Sequence, residues 1–85
     1  MRDTKYAKEL ARAEFKDCRI ERLLVKEGGK EEIRFSWWPD GKMAVRPLDM
    51  PEDELLLLLQ KAFSEKVFTD SFKLGLIKSL LTQSV

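Results

Sequence analysis

Five consecutive leucines, Leu55 to Leu59, constrain the fold of this chain more than any other feature of its sequence. Successive residues of an α-helix are turned by about 100° around its axis, so these five side chains pass through about 400° and surround the helix. Leu57 then lies on the side that also carries Asp53 and Gln60. A helix with leucines on every side needs more than one apolar neighbour, and one sheet is not enough to bury it.

Signals for helix ends flank the leucines and define two C-terminal helices. Asp49 with Glu52 three residues later is a capping-box pattern, and Pro51 suits a first turn, so we predict a helix that is capped by Asp49 and ends at Phe63 or Ser64. A second helix is predicted to begin at Thr69 or Asp70 and to run to about Thr82. Its apolar residues cover an arc of roughly 220°, against the ~100° of an ordinary surface helix. They are Phe72, Leu74, Leu76, Ile77, Leu80, Leu81 and Val85.

A period of two residues upstream predicts β-strands. Residues 18–25 alternate, and Gly28-Gly29 supplies a tight reversal before a second alternating run that begins at Glu32. In that run Ile33, Phe35 and Trp37 share one side, and Arg34, Ser36 and Trp38 share the other. The residue order Trp38-Pro39-Asp40-Gly41-Lys42 is typical of a hairpin turn. A third strand is therefore predicted over residues 42–46, with Met43 and Val45 on one face and Pro47 ending it.

The first residues have the composition of a helix. Thr4 or Asp3 can cap residues 4–14, where Tyr6, Leu10 and Ala13 share a narrow apolar face. The predicted order is α-β-β-β-α-α, in one domain over residues 1–85. The fold class is α+β: a three-stranded antiparallel β-meander packed against two C-terminal helices, with an N-terminal helix. The sheet face predicted to meet the helices carries Ile33, Phe35, Trp37, Met43 and Val45.

Composition excludes several classes of function. Histidine is absent, which removes the commonest general base and metal ligand, and the single Cys18 has no second cysteine to pair with. The carboxylates form two clusters, Glu31-Glu32 and Glu52-Asp53-Glu54. We interpret the first as solvated charge beside a strand and the second as acidic residues at a helix N-terminus, rather than as a metal or catalytic site. We therefore predict no catalytic residue, no metal site and no cofactor, and a non-enzymatic protein. Cys18 is predicted to be a buried structural thiol.

Three features of the sequence bear on the location of the protein. The start of the chain lacks the apolar segment of a secretory signal, and no apolar run approaches the length of a membrane span. A lone thiol fits a reducing compartment. The net charge of +1 gives no general attraction to nucleic acid or to an anionic membrane. We expect a cytoplasmic protein that does not engage a membrane.

The excess of apolar helix surface is the first candidate functional feature. The two C-terminal helices can cover each other within one chain, but a chain of 85 residues offers little else to cover Leu57, Leu74 and Leu81. We interpret these three leucines as an interaction surface for self-association, as in a small homodimeric subunit, or for another protein partner.

The basic side of the predicted sheet is the second candidate. Arg34, Trp38, Lys42 and Arg46 fall on one face, and cations around a stackable ring can hold single-stranded nucleic acid without sequence preference. The simpler interpretation is an ordinary solvated face in which Trp38 packs beside a turn. A protein-interaction module is thus the leading hypothesis, and a nucleic-acid binder is the alternative.

Overall fold

The computed structural model describes residues 3–44 and 46–83, which form an antiparallel sheet of four strands followed by two helices. The elements are β1 (Ala7–Phe15), β2 (Cys18–Val25), β3 (Glu31–Trp37), a 3-10 turn (Pro39–Gly41), β4 (Leu48–Met50), α1 (Glu52–Ser64) and α2 (Asp70–Thr82). Strands lie in the order β1-β2-β3-β4. The predicted α+β class is confirmed.

The chain divides into two compact units, Met1–Leu55 with the sheet and Leu56–Val85 with most of the helical residues. That these units make one domain, and that the sheet packs against the helices, remain predictions.

The predicted N-terminal helix over residues 4–14 is wrong, because most of this segment is the edge strand β1. A two-residue turn at Lys16-Asp17, with Lys16 at φ 55°, returns the chain so that Phe15 pairs with Cys18 and Ala7 with Val25. The ladder to β2 outweighs the helix propensity of the alanines. The register shifts between Glu9 and Ala11, so that Leu10 forms a bulge.

The predicted strands over residues 18–25 and from Glu32 are confirmed as β2 and β3. They pair antiparallel, with Ile20 opposite Phe35 and Glu21 opposite Arg34. Gly28 and Gly29 have φ of 90° and 66° in the connection between the two strands. Both conformations are ones that glycine adopts without a steric penalty.

The third predicted strand, over residues 42–46, is absent from the described part of that segment, and Val45 lies outside the described residues. The turn forms at Pro39–Gly41, but Arg46 takes φ 64°, which breaks an extended course just before Pro47. The strand that pairs with β3 is instead β4, with Ile33 opposite Met50 and Phe35 opposite Leu48. Asp49 belongs to β4, so it is not the predicted helix cap.

Both C-terminal helices are confirmed, with boundaries close to those predicted. In α1, Pro51 precedes the first turn and its carbonyl accepts a hydrogen bond from the Leu55 amide at 3.0 Å. Thr69 caps α2, since its hydroxyl accepts a hydrogen bond from the Phe72 amide at 3.1 Å. Lys66, at φ 60°, ends α1 in the left-handed conformation common after helices.

The sheet buries different residues from those predicted. Side chains of Ala7, Leu23 and Val25 are buried on the face that also carries Arg34 and Ser36, whereas on the predicted core face only Ile33 is buried among the described residues. On that predicted core face, Trp37 is 55% exposed. Met43 is 36% exposed and lines a cavity with Glu9 and Arg34, on the opposite side of the sheet.

The cap of α2 gives a direct test of this helix boundary. Thr69→Ala removes the hydroxyl that accepts from Phe72, so we expect the free energy of unfolding to fall by about 1 kcal/mol. Thr69→Ser keeps the oxygen and should change it by only a few tenths of a kcal/mol. Urea unfolding followed by far-UV circular dichroism measures both. Equal loss in the two variants would contradict the cap.

Candidate interaction surfaces

The helical unit has an aromatic cluster where its two helices connect, and apolar side chains on its surface. At the connection of α1 and α2, the rings of Phe63 and Phe68 lie 5.7 Å apart and those of Phe68 and Phe72 lie 4.8 Å apart. A cavity of about 240 Å³ lies beside them, lined by Phe63, Lys73, Leu76, Ile77 and Leu80. Neither α1 nor α2 contains a fully buried residue in the described part of the chain. Apolar side chains of both helices are thus available for further contacts.

The three leucines predicted as an interaction surface are all exposed: Leu57 by 61%, Leu74 by 59% and Leu81 by 80%. Leu74 and Leu81 are seven residues apart on α2, and Ile77, 53% exposed, lies between them on the same side. We call Leu74, Ile77 and Leu81 the α2 stripe. Leu57 lies on α1, so it is not part of this stripe.

The sheet face opposite the one that carries Ile33 holds a network of charged side chains. We call it the charged face, and its residues are Glu9, Arg12, Glu14, Arg19, Glu21, Arg34 and Asp49. Register places these side chains together on β1 to β4. Arg12 Nε lies 3.0 Å from Glu9 Oε1, and Arg19 Nε lies 2.9 Å from Glu14 Oε1. Glu9 and Glu21 are only 2% and 1% exposed. Cations on this face are thus matched by buried or half-buried carboxylates.

Arg34 forms a bidentate ion pair with Asp49. Its Nε and Nη2 donate to the two carboxylate oxygens of Asp49, each at 2.7 Å. These hydrogen bonds raise the pKa of Arg34 above its usual value, against the opposing effect of partial burial. Its side chain is 11% exposed. The Arg34 guanidinium therefore links β3 to β4.

Trp38 is engaged on the same face. The Arg19 guanidinium lies 3.9 Å from the centre of its ring, and its Nε1 donates to Ser36 Oγ at 2.8 Å. Ser36 Oγ in turn donates to Glu21 Oε1 at 3.4 Å. Lys42 and Arg46 are exposed in the irregular segment before β4. The structure thus places Arg34 and Trp38 on one face, each with partners of its own, and Lys42 and Arg46 outside the strands.

An exposed apolar patch on the sheet was not predicted. It consists of Phe15, Ile20, Trp37 and Leu48, of which Phe15 is 75% exposed, and Cys18 is exposed among them. The prediction that Cys18 is buried is therefore wrong. Register joins Phe15 to Cys18 and Cys18 to Trp37 in one row across three strands. Sequence analysis missed the contribution of Phe15 because it assigned the preceding residues to a helix.

Comparison with known proteins adds no relationship: no family model, curated protein or solved structure matches the chain. Among the described residues, no group of three or more cysteine or carboxylate side chains could hold a metal ion. Within the same part of the chain, neither helix is both long enough and apolar enough to cross a membrane.

Substitution of Arg34 tests whether its main role is structural. Arg34→Lys keeps the charge but loses the paired geometry, so we expect the free energy of unfolding to fall by about 1–2 kcal/mol. Arg46→Lys, at an exposed position, should change it by less than about 0.5 kcal/mol. Urea midpoints report both values. If Arg34→Lys left the free energy of unfolding unchanged, the contact with Asp49 would contribute little to stability.

The nucleic-acid hypothesis has its own test. Because Arg34 already binds Asp49 and Trp38 stacks with Arg19, we expect a single-stranded oligonucleotide to leave tryptophan fluorescence unchanged even at low salt. Quenching at low salt that disappears at high salt, and is lost in Lys42→Glu, would support nucleic-acid binding. The measurement is a fluorescence titration at two salt concentrations.

Proposed function

We propose that this protein is a non-enzymatic interaction module that self-associates through its C-terminal helices. The observation that carries the proposal is the α2 stripe, in which three large apolar side chains on one side of a helix are more than half exposed. Solvent-facing apolar stripes of this kind are typical of helix-to-helix contacts between subunits.

The spacing of the stripe favours a second copy of the chain as its partner. Leu74 precedes Ile77 by three residues and Leu81 follows it by four, so the stripe is nearly symmetric about Ile77. Two α2 helices packed antiparallel across a two-fold axis would bring Leu74 of each against Leu81 of the other. Such an interface is self-complementary, which is the condition for a closed dimer. Antiparallel packing also sets the opposite ends of the two helix dipoles side by side.

The apolar area involved is of the size that a dimer needs. Full burial of a leucine or isoleucine contributes about 1.5–3 kcal/mol, so hiding the exposed part of the stripe in both subunits contributes about 6–12 kcal/mol. Association itself costs about 4–15 kcal/mol. The free energy from burying the stripe is therefore close to the cost of dimerisation. The neighbouring Leu80, 65% exposed, adds further apolar area.

A protein partner other than a second copy would meet the same surface. It would have to present an apolar helix or groove to the α2 stripe. The symmetric spacing favours self-association, and a chain that stays monomeric while binding such a helix would favour the other partner. The cytoplasm fits the exposed, unpaired thiol of Cys18.

Charge placed in the stripe tests the proposal. We expect the wild-type protein to show an average mass above 9.9 kDa that falls on dilution, and Leu81→Glu to lower that mass at every concentration. Ser79→Glu adds the same charge two residues away, off the stripe, and should leave the mass unchanged. Light scattering across a dilution series measures this. A monomer at millimolar concentration would refute self-association, and Leu81→Glu behaving like Ser79→Glu would refute the role of the stripe.

A further inference from the structure

The outer edge of β1 is a second surface that could meet another molecule. β1 lies at the end of the sheet and pairs with β2 on one side. An isolated bridge between Asp3 and Lys8 covers the first part of its other side. From Ala11 to Phe15, every residue is exposed, and in the described part of the chain no strand pairs with this outer edge. A strand edge of this kind offers backbone hydrogen bonds to another strand.

Side chains along this edge complement a second copy of the same strand. In an antiparallel pair centred on Ala13, Arg12 of each chain stands opposite Glu14 of the other. Arg12 and Glu14 are two residues apart on the charged face, and Arg12 Nη1 lies 3.3 Å from Glu14 Oε1 of the same chain. The two side chains are 34% and 49% exposed, so both can also contact a second copy. Opposite charges directly across a strand pair stabilise it, and like charges weaken it.

On the other face of the same strand pair, small and large side chains lie opposite each other. Ala13 meets Ala13 of the second copy at the centre, and Phe15 of each chain stands opposite Ala11 of the other. Phe15 is 75% exposed and extends over small side chains in this arrangement, so its ring gains an apolar surface to cover. The apolar patch of the sheet, defined above by Phe15, Ile20, Trp37 and Leu48, would then continue across the junction.

Charged residues and bulges often protect edge strands from pairing, and β1 has both. The bulge at Leu10 lies outside the five residues that would pair, and the charges alternate in sign within them. Because the charges alternate in sign, an antiparallel second copy places opposite charges across the pair, so the edge favours pairing with its own sequence. We propose that β1 pairs antiparallel with β1 of a second copy over residues 11–15, in the register centred on Ala13. This interface involves none of the residues of the α2 stripe.

Disulfide trapping tests the register. In a background of Cys18→Ser and Leu81→Glu, which removes the native thiol and the helical contact, Ala13→Cys places two thiols across the two-fold axis. Cα atoms of opposite residues are about 4.5–5.5 Å apart, within the range of a disulfide. The matched control is Phe15→Cys on the same strand face, for which the two thiols would be more than about 13 Å apart. We expect a mild oxidant to convert Ala13→Cys to a disulfide dimer and to leave Phe15→Cys largely monomeric.

Charge reversal tests the recognition. Adding Glu14→Arg to the Ala13→Cys protein sets Arg12 against an arginine at both ends of the pair, and we expect cross-linking to slow about tenfold. Glu27→Arg makes the same change of net charge in the exposed β2-β3 connection and should not slow it. Circular dichroism shows that each variant is folded. Equal cross-linking of Ala13→Cys and Phe15→Cys, no cross-linking of Ala13→Cys, or equal effects of the two charge reversals would overturn the proposal. None of these outcomes bears on the α2 stripe.

Discussion

The buried carboxylates of the charged face are the constraint on which the sheet depends. Glu9 and Glu21 lie almost wholly out of water on neighbouring strands, and an ionised carboxylate in that position needs compensating charge or hydrogen bonds. Arg12 reaches Glu9, and the hydroxyl of Ser36 reaches Glu21. Arg12 and Glu9 both belong to β1, but Ser36 of β3 contacts Glu21 of β2, and Arg19 of β2 contacts Glu14 of β1. These two contacts cross between strands and favour the observed register of β1 to β3. A slip of one residue would move Glu14 and Glu21 away from these cross-strand partners.

The charged face also explains the unusual distribution of apolar residues in this unit. In most small antiparallel sheets one face is polar and solvated and the other is apolar and covered. Here, the polar face includes the buried Leu23 and Val25, and the apolar face leaves Phe15 and Trp37 more than half exposed. One face of the sheet thus buries charged and apolar side chains together, and the other leaves large apolar side chains exposed to solvent.

Sequence reasoning found the elements whose signals are local. The two-residue period of β2 and β3, the glycines between them and the threonine before α2 each specify structure within a few residues. It failed where distant residues decide. β1 reads as a helix because its inward residues include Ala7 and Glu9, and a glutamate is not recognisable as buried until its arginine is in place. β4 was placed too early because nothing in the residues 42–46 shows that Arg46 takes a left-handed conformation. Among the candidate sites, the exposure of Leu57, Leu74 and Leu81 was expected from helical periodicity and the small size of the chain, whereas the partners of Arg34 and Trp38 required the fold.

The two tryptophans are adjacent in sequence but lie in different surroundings. Trp37 points from the apolar face and is 55% exposed, while the indole of Trp38 is stacked against a guanidinium and donates a hydrogen bond to Ser36. Solvent relaxation should act on the emission of Trp37, and contact with a cation on that of Trp38. The chain therefore carries an internal pair of optical probes one residue apart, each sensitive to events on its own side of the sheet.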